Sequence, residues 1–227
     1  MPPLIITFSG LDGAGKTTHI NTLCAALREH GLRTRVLAFW DDVVVFSRYR
    51  EGFVHRVYGS ERGVGTPGRP VERRDKNVRR WYLTIARHLM YAADAIHLRR
   101  VLRRAAASQA DVIIFDRYAY DQMANLPLRS RASQYFVRWL ARFVPRPHLA
   151  FLLDADPGAA VARKPEYPLA FMHQCRTSYH ELAGLLGSLT VIPPLPLEAA
   201  KKCVLQHAFH LISRWNAPGA RSSTSAA

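Results

Sequence analysis

The 227-residue sequence predicts a single three-layer α/β domain, a parallel sheet of about five strands with helices on both faces. Three observations carry that expectation. Short apolar, β-branched runs alternate with stretches whose apolar residues recur every three or four positions. The first such run closes on a glycine-rich turn that opens a helix, the start of a parallel crossover. No linker-like segment divides the chain, which is long enough for one buried sheet.

Leu4 to Phe8 reads as a buried strand ending in a turn at Ser9-Gly10. From Lys16 the spacing becomes helical, with Ile20, Leu23, Cys24 and Leu27 on one face and Gly31 as the stop. Thr34 to Phe39 is the second strand. A short helix over Val43 to Phe53 and a Gly- and Pro-rich loop, Gly59 to Pro70, are expected next. Val78, Trp81, Tyr82, Ile85, Leu89, Ala92 and Ile96 trace one apolar face of a long helix reaching about Ala107. Strands are expected at Asp111 to Phe115, His148 to Leu153 and Leu189 to Ile192. Helices are expected at Ala132 to Phe143, just after Pro157, at Leu169 to Leu186 and at Leu197 to Arg214. The domain spans 1–215, and the Pro-, Gly- and Ser-rich residues 216–227 read as a disordered tail.

Hydrophobic residues make up 48% and charged residues 22% of the chain, which is ordinary for a soluble globular protein. Met1-Pro2-Pro3 has no basic flank, and Leu4 to Phe8 is too short for a signal core or a membrane span. Cys24, Cys175 and Cys203 stand far apart without metal-ligand spacing, so a reducing, cytoplasmic location is expected. The formal charge of +15 is unusual, and much of it lies in Arg pairs between Arg48 and Arg104. A basic face attracts polyanions, which makes nucleic acid one candidate partner beside a plain solvated surface.

Gly10-Leu11-Asp12-Gly13-Ala14-Gly15-Lys16-Thr17 fits G-x-x-x-x-G-K-[ST], the P-loop of nucleoside triphosphate-binding folds. Glycines let the backbone curl so that successive N–H groups face phosphate oxygens, and the helix after Gly15 adds its positive end. Gly10, Asp12, Gly13, Ala14, Gly15, Lys16, Thr17 and Thr18 are therefore the expected ATP-binding residues. Lys16 reaches the β- and γ-phosphates, and the Thr17 hydroxyl is a ligand for Mg²⁺. No Asn-Lys-x-Asp segment is present, which argues against a GTPase. Asp116, at the end of a strand, is suited to hold Mg²⁺ or accept a proton, and Arg117 to clamp an acceptor phosphate.

These residues resemble the thymidylate kinase family. Phe8 to Thr18 looks very like that family's loop, Tyr91-Ala92-Ala93-Asp94 like its F-A-A-D-R helix, Val112 to Tyr118 like its V-I-x-D-R-Y segment, and Leu152 to Pro157 like its L-L-D-x-x-P strand end. The resemblance implies a nucleoside monophosphate kinase fold, transfer of phosphate from ATP to dTMP, and a homodimer through the long helix. It places Asp12 on the acceptor sugar, Tyr91 on the acceptor base, Asp116 and Arg117 at the acceptor phosphate and Mg²⁺, and a lid at about 163–168. Gly13 stands where some members carry arginine, so the resemblance implies a catalytic arginine from the lid, with Arg163 first, then Arg176, and Lys164 as a third cation.

Departures cluster on the acceptor side. Phe39-Trp40-Asp41-Asp42 replaces R-E-P-G-G, Ala95 replaces the arginine of F-A-A-D-R, and Asp121 opens the segment that is S-x-x-A-Y-Q in the family. Arg48, Arg50 and Arg87 are candidate substitutes for the missing charge. Two other readings remain at this stage: a P-loop kinase of a nucleoside or other hydroxylated acceptor, and a nucleic-acid-binding P-loop ATPase.

Overall fold

The computed structural model describes residues 2–45 and 81–215. Its sheet contains β1 (Leu4–Gly10), β2 (Thr34–Ala38), β3 (Val112–Asp116), β4 (Leu149–Leu153) and β5 (Thr190–Ile192). All pairings are parallel, in the order β2-β3-β1-β4-β5. This is the P-loop NTPase arrangement that the sequence predicts. The helices are α1 (Lys16–Glu29), α2 (Trp81–Ala106), α3 (Ala119–Ala124), α4 (Arg131–Phe143), α5 (Pro157–Arg163), α6 (Leu169–Leu186) and α7 (Leu197–Trp215).

Both faces of the sheet are covered, which is why its strands read as nearly unbroken apolar runs. Val112 and Ile114 of β3 turn to the side of α1 and α7, joining Leu23, Leu27, Val204 and Ala208. Ile113 and Phe115 turn the other way, to a core built with α2, α3, α4 and α6. Helix α1 ends as Gly31 predicts: Gly31 has φ of 76°, and Leu32 N–H returns to the Leu27 carbonyl at 3.0 Å.

Three expectations need correction. The strand from Thr34 stops at Ala38, where Asp42 accepts from the Ala38 N–H at 2.7 Å and Phe39–Val43 form one π-helical turn. The helix expected from Val43 does not start there, because Val44 is extended; residues 46–80 lie outside the described residues, as do 216–227. The third concerns α2. Of its assigned apolar face, Ile85, Leu89 and Ile96 are exposed, while Tyr91, Ala95, Leu98, Leu102 and Ala105 enter the core.

Helix α1 also carries a pH-sensitive contact. His19 is buried beside Gly15, and its Nδ1 has no hydrogen-bond partner among the described residues. Burial first, and then the charge of Lys201, holds its pKa below the ordinary 6.5. A depressed histidine stabilises the fold fully above that ordinary value, and the stability is lost as pH falls through the lowered one. Thermal unfolding from pH 7.5 to 5.5 is expected to show less acid destabilisation in His19→Leu than in the unaltered protein. An identical pH slope in both would show that His19 is not responsible.

Candidate active site

Strand β1 lies at the centre of the sheet, between β3 and β4, so the loop that follows it opens at the switch point where the strand order reverses. Gly10 has φ of 140°, and a Cβ there would lie 2.4 Å from the Leu153 carbonyl oxygen. At Gly13, φ is 80° and a Cβ would lie 2.5 Å from the carbonyl oxygen of Ala160 in α5. At Gly15, with φ of 84°, a Cβ would meet only the His19 ring, in ordinary contact at 3.8 Å, so glycine is required there for its backbone alone. The loop is thus a close backbone cradle, with Thr17 and Thr18 exposed at the head of α1.

Lys16 is buried and folds back over this cradle. Its ammonium donates to the carbonyls of Gly10 at 3.1 Å and Leu11 at 2.7 Å. Burial, reinforced by Arg117 and opposed by Asp12, Asp121 and Asp116, lowers its pKa to about 8. An incoming triphosphate favours the charged form, so ATP binding above pH 8 must take up a proton. Affinity is then expected to weaken towards about tenfold per pH unit. Calorimetric titration with ATP at pH 8.5, in buffers of different ionisation enthalpy, reads that uptake directly; its absence would place Lys16 away from the phosphates.

Across the loop, Asp116 ends β3 opposite Phe8 of β1, and the N–H of Arg117 donates to the Phe8 carbonyl at 2.9 Å. Arg117 has φ of 65°, left-handed and uncommon for a residue with a Cβ. Its side chain explains how that conformation is held. Nη2 donates to Asp12 Oδ1, and Nη1 donates to Asp121 Oδ1 at 2.9 Å. Nη1 also approaches the Gly10 carbonyl at 3.5 Å, so Lys16 and Arg117 converge on one backbone oxygen. Burial opposes the charge on Asp12, but Arg117, Lys16 and Lys164 outweigh it and keep the carboxyl below its ordinary pKa. Burial likewise opposes Arg117, and Asp121 and Asp12 outweigh it.

The segment expected to form the lid, 163–168, is short and close to the loop. Arg163 Nε donates to the Gly13 carbonyl at 2.9 Å, and Lys164 pairs with Glu166 at 3.0 Å. Arg176, the second lid candidate, makes a bidentate pair with Asp154 at 2.7 Å on both arms. Tyr91 is buried in the α2 core near Ala95. Arg87 lies one turn before it and is half-buried, whereas Arg48 and Arg50 lie outside the described residues.

Sequence reasoning missed two participants. Asp121 appears in the sequence only as a departure from a motif, although its position four residues after Arg117 on α3 is a local signal. Tyr179 gives no sequence signal; its hydroxyl donates to Asp121 Oδ1 at 2.6 Å from α6.

The thymidylate kinase family model matches residues 74–192. A probable thymidylate kinase of Methanothermobacter thermautotrophicus is 30% identical over 193 residues, covering 83% of this chain and 85% of its own. The chain belongs to the thymidylate kinase family. The thymidylate kinase of Verminephrobacter eiseniae is 25% identical over 223 residues, 89% of this chain and 86% of that one. That of Jannaschia sp. is 27% identical over 198 residues, 81% and 84% of the two chains. Membership makes this protein a kinase that takes ATP and small nucleotide substrates.

Proposed function

We propose that this thymidylate kinase family member transfers the γ-phosphoryl group of ATP to dTMP, forming dTDP and ADP. The observation that carries the reading is the meeting of Lys16, from the ATP-binding loop, and Arg117, from the acceptor side, at the Gly10 carbonyl. A phosphoryl group held between them would touch both donor and acceptor. An oxygen of the dTMP phosphate attacks the γ-phosphorus in line, and the bond to the β–γ bridging oxygen breaks as ADP leaves. The attacking oxygen is already anionic, so positioning and charge neutralisation do the work. Lys16 neutralises the donor phosphates, Arg117 the acceptor phosphate, and Arg163, hydrogen-bonded to the loop at Gly13, the group in transfer. Asp12 both steadies Arg117 and faces the acceptor sugar in this reading.

Mg²⁺ fits the residues present. Asp116 Oδ1 is buried without a hydrogen-bond partner among the described residues, as expected of an oxygen awaiting a cation or its water. Thr17 offers the second protein oxygen. The described residues hold no cluster of three or more His, Cys, Asp or Glu, so ATP and water would complete the coordination. When bound, Mg²⁺ would offset charge on the β- and γ-phosphates.

The deciding experiment separates nucleotide products after incubation with Mg-ATP and a panel of nucleoside monophosphates and nucleosides. Formation of dTDP is the expected result. Phosphorylation of thymidine without phosphorylation of dTMP would overturn the reading in favour of a nucleoside kinase.

The proposal includes the domain limits 1–215, the lid at 163–168 and a cytoplasmic location. No described helix is long and apolar enough to cross a membrane. It also includes a homodimer. On α2, Ile85, Leu89 and Ile96 form an exposed stripe, with Leu89 at 67%, running for about 16 Å along the helix. Helix α4 lies alongside, with His88 against Phe136 at 4.0 Å, and adds exposed Tyr135, Trp139 and Phe143. Arg100, Arg103, Arg138 and Arg142 are exposed on the same two helices, the apolar-centre and polar-edge composition of a protein interface. Light scattering is expected to give a dimer for the unaltered protein and a monomer for Leu89→Glu. A monomeric unaltered protein at micromolar concentration would refute it.

A further inference from the structure

We propose that Asp121 is a positioning residue for the acceptor site: its carboxylate fixes the guanidinium of Arg117, and Tyr179 fixes the carboxylate. The inference rests on the dTMP kinase reading for its consequence, though not for its geometry. Asp121 stands at the serine of the family's S-x-x-A-Y-Q segment, so a charge has been added to this chain at a place where the family pattern has none.

The carboxylate is 2% exposed and has four donors. Oδ1 receives Arg117 Nη1 at 2.9 Å and the Tyr179 hydroxyl at 2.6 Å. Oδ2 receives the Ser9 hydroxyl at 2.6 Å and the Tyr118 N–H at 3.0 Å. Those donors come from β1, the start of α3, Arg117 itself and α6, so the carboxylate ties together the elements on either side of the loop. A buried anion is tolerable only with such satisfaction and with an adjacent cation. One of the four bonds, from Tyr118, is an ordinary helix cap, and a simple capping role is the competing explanation. Capping does not account for Oδ1, which points at Arg117 and Tyr179.

The substitution at Ala95 gives the arrangement a purpose. With the family's second arginine replaced by a buried alanine, recognition of the acceptor phosphate falls more heavily on Arg117. Asp12 and Asp121 grip opposite arms of its guanidinium, which blocks rotation and, among the described residues, leaves the Nε–H and the second Nη2 hydrogen for a phosphate. Held by Asp12 alone, the same cation would pivot, and its bidentate geometry would be lost.

Asp121→Asn is the informative variant, because an amide oxygen still accepts from Tyr118 and Ser9 while its NH₂ group faces Arg117. Tyr179→Phe removes one support without touching the cap. Asp121→Asn is expected to raise KM for dTMP by about tenfold with KM for ATP unchanged, and Tyr179→Phe to shift it in the same direction by less. Tyr179→Phe should leave the unfolding temperature nearly unchanged, whereas Asp121→Asn, which removes the anion beside a buried guanidinium, should lower it, so the split between the two KM values is what identifies positioning. A second readout needs no acceptor: the ¹⁵N-labelled guanidinium of Arg117 should show slowly exchanging Nη protons that become fast-exchanging in Asp121→Asn. Unchanged Arg117 signals would overturn the proposal. So would equal rises in both KM values, which is the signature of a lost cap. If the unaltered protein phosphorylates no monophosphate, the kinase reading fails by itself, and the Arg117 signals still decide the role of Asp121.

Discussion

Replacing Lys16 with alanine is expected to lower kcat for dTDP formation by about a thousandfold, while the protein stays folded. The size follows from where the ammonium is. Lys16 is buried at the head of α1, where it donates to the Gly10 and Leu11 carbonyls. Those are weak, neutral acceptors compared with a triphosphate. As charge develops on the oxygens in transfer, the ammonium gains interaction energy in a site with little water, and that gain is absent in the ground state. Alanine removes it entirely. Folding should suffer little, because burial already disfavours this cation, lowering its pKa to about 8. Single-turnover measurement of dTDP beside a thermal melt separates the two effects. A kcat within about tenfold of the unaltered enzyme would mean that the phosphates lie elsewhere.

How much of this was legible in the sequence depended on whether a feature is local. The P-loop was, since its glycines and Lys16 are fixed by spacing, and the strands were, because a two-sided sheet turns Val112 and Ile114 one way and Ile113 and Phe115 the other. Periodicity failed on α2 for a specific reason. That helix has two apolar faces, and spacing cannot say which one enters the core. The one that does, Tyr91, Ala95, Leu98 and Leu102, also contains buried Asp94, which breaks the apolar pattern. Asp94 is satisfied by the Val45 N–H and the Gln122 amide, neither of them predictable from α2 itself. Helix α3 was missed because six residues leave no room for a period; it is set by its cap at Asp121 instead. The site's supports were the least legible. Arg163 meets Gly13, and Tyr179 meets Asp121, only after the chain has crossed the sheet. Resemblance offered Arg163 as a lid candidate, but only folding shows what it touches.

Gly13→Ala is expected to cost about 1–3 kcal/mol of stability and about a hundredfold in kcat, far more than Gly15→Ala. The two glycines have nearly the same φ, 80° and 84°, so backbone strain is common to both variants. What differs is the wall. At Gly15 the nearest atom to a new Cβ is the His19 ring at 3.8 Å, whereas at Gly13 it is the Ala160 carbonyl oxygen at 2.5 Å, with two more Ala160 backbone atoms within 3.2 Å. Backbone cannot rotate aside as a side chain would, so α5 must move away from the loop. Arg163 ends that helix, and its bond to the Gly13 carbonyl is made from the same place. A displaced α5 therefore takes Arg163, the cation proposed for the group in transfer, with it. The same contact explains why an arginine cannot simply be placed in the loop: Gly13→Arg should fail to restore activity to Arg163→Ala, because its own Cβ evicts the helix. Comparing kcat and unfolding temperature for Gly13→Ala and Gly15→Ala tests the argument. Equal losses in the two would show that α5 is not what places Arg163.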